Sequence, residues 1–155
     1  MKKVIFVHDH KFISLDNKYY SEGKFRAEVF SRYDAFNSNI TVISRIVANN
    51  QGDKLNKISN ENIYFKPVRG VGFSSVFTKY FFTNTRLIVR EIKKADALII
   101  RLPSFLGIFV LILNLFFQKK YFIELVGDPQ EALITSKKNF CFFFIFFIYL
   151  LLSFN

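Results

Sequence analysis

Cysteine occurs once, at Cys141, in a chain of 155 residues. One thiol excludes an internal disulfide and a cysteine-based zinc site, and it fits a reducing compartment. Tryptophan is absent while phenylalanine occurs 22 times, and Lys, Ile and Asn are abundant. These favoured residues have AT-rich codons, so counts of Lys or Phe carry little argument on their own. Acids are scarce: 12 against 22 Lys and Arg, a formal net charge of +10. That excess suits anionic partners (lipid headgroups, nucleic acid or phosphorylated substrates) without choosing among them. No Gly/Ser-rich linker divides the chain, and no internal repeat is visible. Long apolar runs are missing too, since a bilayer span takes roughly 20 residues. Residues 105–117 fall short of that and include Asn114, and the chargeless, Phe-rich run 140–152 is also shorter. Both read as core or interfacial helices. At the N-terminus, Lys2 and Lys3 precede apolar residues 4–7, which stop at His8-Asp9-His10. Such a run is too short for an export signal, so a cytoplasmic location is expected.

What is present is a chain 51% hydrophobic, able to bury the core of one domain. Val4-Ile5-Phe6-Val7 has the continuous apolar character of a strand covered on both faces. Residues 24–36 carry Phe25, Val29, Phe30, Tyr33 and Phe36 at helical spacing, with Ser21 a candidate cap. Residues 40–44 and 63–65 read as strands, joined by a polar surface loop over 49–62. A helical stripe spans 75–94, a strand 97–100 ends before Pro103, a helix covers 105–117 and a strand 121–126. Strands alternating with helices imply right-handed crossovers, hence an α/β, Rossmann-like parallel sheet flanked by helices.

Ligands of such sheets bind at the carboxyl ends of the strands. That rule nominates His8 and Asp9, Arg45, residues 101–104 and residues 127–131. Asp9 or His8 is a candidate general base, and both side-chain types hydrogen-bond sugar hydroxyls. His8 and His10 lie on one side only if the strand continues, and no third ligand shows at metal-site spacing, so no metal is expected. Arg69-Gly70-Val71-Gly72 hints at a phosphate-cradling loop, but Ser75 stands where the dinucleotide fingerprint wants its third glycine; a mobile loop is expected. Glu124 and Asp128 either bind sugar or, more plainly, pair with a nearby Lys and start a turn at Asp128-Pro129. Lys119-Lys120 and Lys137-Lys138 flank apolar helix candidates, an arrangement suited to an anionic membrane and equally to a solvated surface. Aromatics interleaved with Lys near residues 79–82 sit at helical spacing, which argues for core packing against base stacking on nucleic acid.

Residues 19–45, 99–104 and 124–129 form three stretches which, in that order, resemble the N-terminal domain of family 4 glycosyltransferases of bacterial capsule and O-antigen assembly. Tyr19-Tyr20-Ser21-Glu22-Gly23-Lys24-Phe25 leads to Arg32-Tyr33 and to Ile40-Thr41-Val42-Ile43-Ser44-Arg45. Ile99-Ile100-Arg101-Leu102-Pro103-Ser104 is similar to the strand ending in Arg-x-Pro. Glu124-Leu125-Val126-Gly127-Asp128-Pro129 is similar to the family's Glu-x-x-Gly-Asp-Pro segment, with Gln130 where an aromatic usually follows. The likeness covers roughly residues 1–135 and leaves 136–155 as an apolar tail.

The resemblance implies the acceptor-side half of a GT-B fold. Such an enzyme moves a sugar from a nucleotide-sugar to a lipid-linked or growing glycan at the inner membrane face. On that basis His8 and Asp9 are weak catalytic candidates, and Gly23, Lys24, Arg101 and Asp128 are expected at the acceptor. Lys119, Lys120, Lys137, Lys138, Phe142 and Phe143 are expected to contact the membrane. Arg101 suits a phosphate-bearing acceptor, and Glu124 is expected to order its strand end. The nucleotide-sugar belongs to a donor half with no counterpart in this sequence, so the chain is expected to be cut short and inactive alone. A non-enzymatic membrane-associated protein and a nucleotide-binding Rossmann domain of another class are the alternatives.

Overall fold

The computed structural model describes residues 2–16, 18–22, 25, 28–33, 38–48, 55–58, 62–70 and 72–126. The chain divides into a unit Met1–Leu125 and a second, Val126–Asn155, of which only Val126 is described. In chain order the elements are β1 (Lys2–Leu15), β2 (Lys18–Ser21), α1 (Glu28–Ser31), β3 (Ser38–Ala48), β4 (Asn56–Lys57), β5 (Ile63–Val68), α2 (Phe73–Phe77), α3 (Phe81–Lys94), β6 (Ala97–Leu102), α4 (Phe105–Phe117) and β7 (Lys120–Leu125).

Five strands run parallel in the order β5-β3-β1-β6-β7, which is the order of a doubly wound, Rossmann-like half. The sheet is nevertheless mixed, because β2 pairs antiparallel with the far half of β1, and β4 with β2. Period-two alternation gives β1 two buried faces. Val4, Phe6 and Phe12 turn into an aromatic core with Phe25, Phe30 and Tyr33. Ile5 and Val7 face the other way; both are fully buried, as are Leu98 and Ile100 beside them. Helices α3 and α4 pack against β1. α4 approaches β6 closely at Gly107, where a Cβ would stand 2.9 Å from Ile100 Cγ2.

The helix expected over 105–117 has those bounds, with Ser104 as its N-cap accepting from the Gly107 amide. Several boundaries differ. β1 does not end at Val7 but runs on to Leu15, because β3 and β2 supply backbone partners to its second half. Ser21 is not a helix cap; it is a buried residue of β2. The helix read over 24–36 is confined, among the described residues, to α1. Pro67 lies inside β5, which is tolerated on a strand with one described neighbour. The stripe read over 75–94 is two helices, α2 and α3, parted at residues 78–80. The loop read over 49–62 contains β4 and the fully buried Ile58. Among the described residues no helix is long and apolar enough to cross a membrane.

Candidate functional site

The strand order reverses between β1 and β6, the place where ligands of such sheets bind. His8, Asp9 and Arg101 meet there, and Lys11 is the first residue of β1 to resume pairing with β3 after a bulge at His8-Asp9-His10. The bulge is tied down by β3. The Ser44 hydroxyl bonds the carbonyls of His8 (2.8 Å) and His10, and the Arg45 guanidinium donates to the Asp9 carbonyl. Because the strand continues, His8 and His10 do project to one side, their rings parallel at 6.2 Å. Asp9 projects to the other.

On the α4 side, Asp9 Oδ2 accepts from the Leu106 amide at 3.0 Å and lies 3.3 Å from Ser104 Oγ. Its carboxylate thus shares the capping of α4 with Ser104, as an anion at a helix N-terminus should. Arg45 Nε stands 3.7 Å from the other carboxylate oxygen. So engaged, Asp9 is placed to hold strand and helix together.

On the aromatic side, Phe25 stacks on His10 at 4.9 Å and on His8 at 6.0 Å. The Arg101 guanidinium covers the same ring at 5.1 Å. His10 Nε2 and Ser21 Oγ are hydrogen-bonded at 2.6 Å, and Ser21 Oγ also lies 3.1 Å from the Glu22 carbonyl. Burial, then the charge of Arg101, lowers the His8 pKa to about 4, with His10 and Arg45 adding to the effect and a backbone hydrogen bond at Arg101 opposing it. His10 is lowered by burial and by the same two arginines. Both rings are neutral near pH 7.

This depression fixes a pH dependence. Unfolded, His8 titrates near 6.5; folded, near 4. Between those values the unfolded chain holds a proton that the folded chain does not, so acidification favours unfolding. The contribution is whole above pH 6.5 and is lost as pH falls toward 4. We expect His8→Phe to flatten the fall of the melting temperature between pH 6.5 and 4 relative to the parent chain. Parallel curves would mean that the buried imidazole is not the cause.

Arg101 is 9% exposed, and its Nε and Nη1 make no hydrogen bond among the described residues; the same is true of His8 Nδ1. The nearest countercharge to Arg101 is Glu124, with Oε2 3.5 Å from Nε. Glu124 also accepts from Tyr33 Oη at 2.9 Å and pairs with Arg32 at 3.1 Å. Its partners are therefore two arginines and a tyrosine, not the lysine expected from its surroundings in sequence. Burial, then the Glu124 hydrogen bond, pushes the Tyr33 hydroxyl well above its usual pKa, which keeps it a donor. Arg101 therefore has the Glu124 carboxylate as its countercharge while keeping donors without a hydrogen bond among the described residues.

The other sequence-derived residues lie elsewhere. Gly23, Lys24, Asp128, Lys137, Lys138, Phe142 and Phe143 fall outside the described residues. Lys119 and Lys120 lie at the opposite edge of the sheet, where Lys120 pairs with Ala97 at the start of β6, roughly 13 Å of strand away from Arg101. Phe25, which in the sequence belongs to a helical stripe, is the ring on which both imidazoles stack. Its position just beyond Gly23 was the available signal. Among the described residues no three His, Cys, Asp or Glu side chains are grouped to hold a metal ion.

Fold and site together describe an α/β unit of Rossmann-like strand order whose switch point gathers Arg101, Phe25 and two imidazoles. Over 131 residues the chain is 29% identical to Protein CapJ of Staphylococcus aureus, an alignment covering 84% of this chain and 33% of that protein. The chain thus spans about a third of the length of the curated relative it matches. No family model matches the sequence. No solved structure matches it.

Proposed function

We propose that this chain is the acceptor-binding half of a GT-B glycosyltransferase of capsule polysaccharide assembly, one that moves a sugar from a nucleotide-sugar to a lipid-linked or growing glycan. The observation that carries the proposal is Arg101, a buried guanidinium with unused donors at the switch point, in a chain similar to Protein CapJ along most of its length. The guanidinium suits the phosphate of a lipid-linked acceptor. Phe25 and the neutral His8 and His10 rings beside it offer an apolar floor with hydrogen-bonding edges for a sugar. β1 runs through this position as a bulged strand with no glycine, unlike the glycine-rich turn that brings a dinucleotide onto the backbone. That favours an acceptor over a dinucleotide at this switch point.

Transfer requires donor and acceptor in one site. The nucleotide-sugar is assigned to a second, donor-binding Rossmann-like half. Peripheral attachment to the inner membrane face completes the proposal. Lys119 and Lys120 follow the exposed Leu115 and Phe116 of α4, so they would steer the protein to an anionic surface without touching the acceptor.

The test measures binding of the full chain to nucleotide-sugars and to a lipid-linked-sugar extract, then sugar transfer by a fusion to the donor half of a GT-B glycosyltransferase. Expected are acceptor binding without nucleotide-sugar binding, transfer by the fusion, and a loss of about tenfold or more with Arg101→Ala. Transfer by the chain alone would overturn the half-enzyme assignment. Nucleotide-sugar binding without acceptor binding would overturn the acceptor assignment.

A further inference from the structure

A second basic feature lies at the carboxyl end of β5, on the same sheet edge as the switch point but apart from it. Here Arg69, Gly70, Ser75, Lys79 and Tyr80 line a groove of about 570 Å³. The groove is wide and open to solvent. No carboxylate is among the lining residues, and among the described residues no acid forms an ion pair with Arg69 or Lys79.

The groove is held in shape from beneath by one buried side chain. Asn84, 2% exposed, accepts from the Arg69 amide at 2.8 Å and donates to the carbonyls of Arg69 and Val76 at 3.0 Å each. Both halves of the amide are thus spent on fixing the backbone that presents Arg69 and on tying it to α2. Gly70 follows at φ +99°, and a Cβ there would meet Ser75 Oγ at 2.6 Å and Val76 N at 2.9 Å. Only glycine permits that turn to lie so close against α2. Lys79 sits with its ammonium 5.4 Å from the Tyr80 ring centre, which keeps its charge beside the groove. The loop 69–72 is therefore anchored at Arg69 and Gly70, where sequence reasoning expected mobility.

We propose that this groove is a binding site for a phosphate or pyrophosphate group, with Arg69 and Lys79 as its cationic ligands and Asn84 as the positioning residue. Arg supplies paired donors to phosphate oxygens and Lys a point charge, while a fixed backbone reduces the ordering that binding requires. The phosphate could belong to a soluble ester or to a lipid headgroup, and the experiment separates the two. The site does not depend on glycosyl transfer, because it is read by binding alone.

The test titrates the full chain with sodium pyrophosphate at fixed ionic strength, in the parent and in two double variants. R69A/K79A removes the groove's cations; K18A/K57A removes the same charge from exposed residues of β2 and β4. Saturable binding that weakens about tenfold or more in R69A/K79A and is kept in K18A/K57A is the expected result. Thermal melts check that all three chains fold, and since these side chains are exposed none should differ. Binding to phosphatidylglycerol vesicles that pyrophosphate displaces and R69A/K79A abolishes would identify the headgroup as a source. Pyrophosphate binding with no vesicle binding would identify a soluble ester. Equal binding by all three chains, equal losses in both double variants, or no saturable binding by the parent would overturn the proposal.

Discussion

Replacing Phe6 with alanine is expected to cost about 3–5 kcal/mol of stability. Phe6 is fully buried, with ring centres of Phe30, Tyr33 and Phe25 at 5.1, 6.0 and 6.3 Å. It joins β1 to α1 and to the ring on which both imidazoles stack. Removing it withdraws its own apolar surface and leaves the surrounding rings without contacts that they cannot easily recover by collapsing. Domains are stable by only about 5–15 kcal/mol, so the loss removes a large fraction of the total stability. Urea denaturation measures this directly: the midpoint should fall while the slope stays constant. Phe6→Leu should lose much less. A loss below about 1 kcal/mol for Phe6→Ala would mean that the aromatic core can close around the gap.

Glu124→Gln is expected to destabilise by about 2–4 kcal/mol. The carboxylate gathers Arg101 from β6 and Arg32 and Tyr33 from the end of α1. The Arg32 side chain is 63% exposed, and an exposed pair of that kind adds little. Most of the loss comes instead from Arg101, which keeps a buried charge and loses its nearest countercharge. The side chain of Glu124 is itself 15% exposed, which places the expected loss below that of a fully enclosed pair. The coupling has a distinct signature. E124Q/R101M should be less destabilised than the sum of the two single variants, because charge and countercharge leave together. Additive losses would show that Glu124 acts through Tyr33 alone.

The reach of the sequence can be judged at particular residues. The alternation of strand and helix, the buried faces of β1 and β6, and both bounds of α4 follow from local pattern. Each reflects how one element divides its own side chains between core and solvent, which a short window of residues already encodes. The site was legible in outline, since the residues after each apolar run are where parallel strands end. Its chemistry was not. That Asp9 caps α4 depends on residues 97 positions apart. That Glu124 meets Arg32 rather than a neighbouring lysine depends on a pairing across 92.

By itself, then, the sequence determined an α/β chain with a large apolar core, a basic surface and a set of polar residues at strand ends. Only the tertiary structure decided which of those residues share a partner. β1 passes through His8-Asp9-His10 as a strand because β3 ties down the bulge with Ser44 and Arg45. Alternation along that strand then sends the two imidazoles to Phe25 and the carboxylate to α4. Periodicity specifies an element's faces, whereas the partner across each face is fixed by the packing of distant segments, which no local window contains.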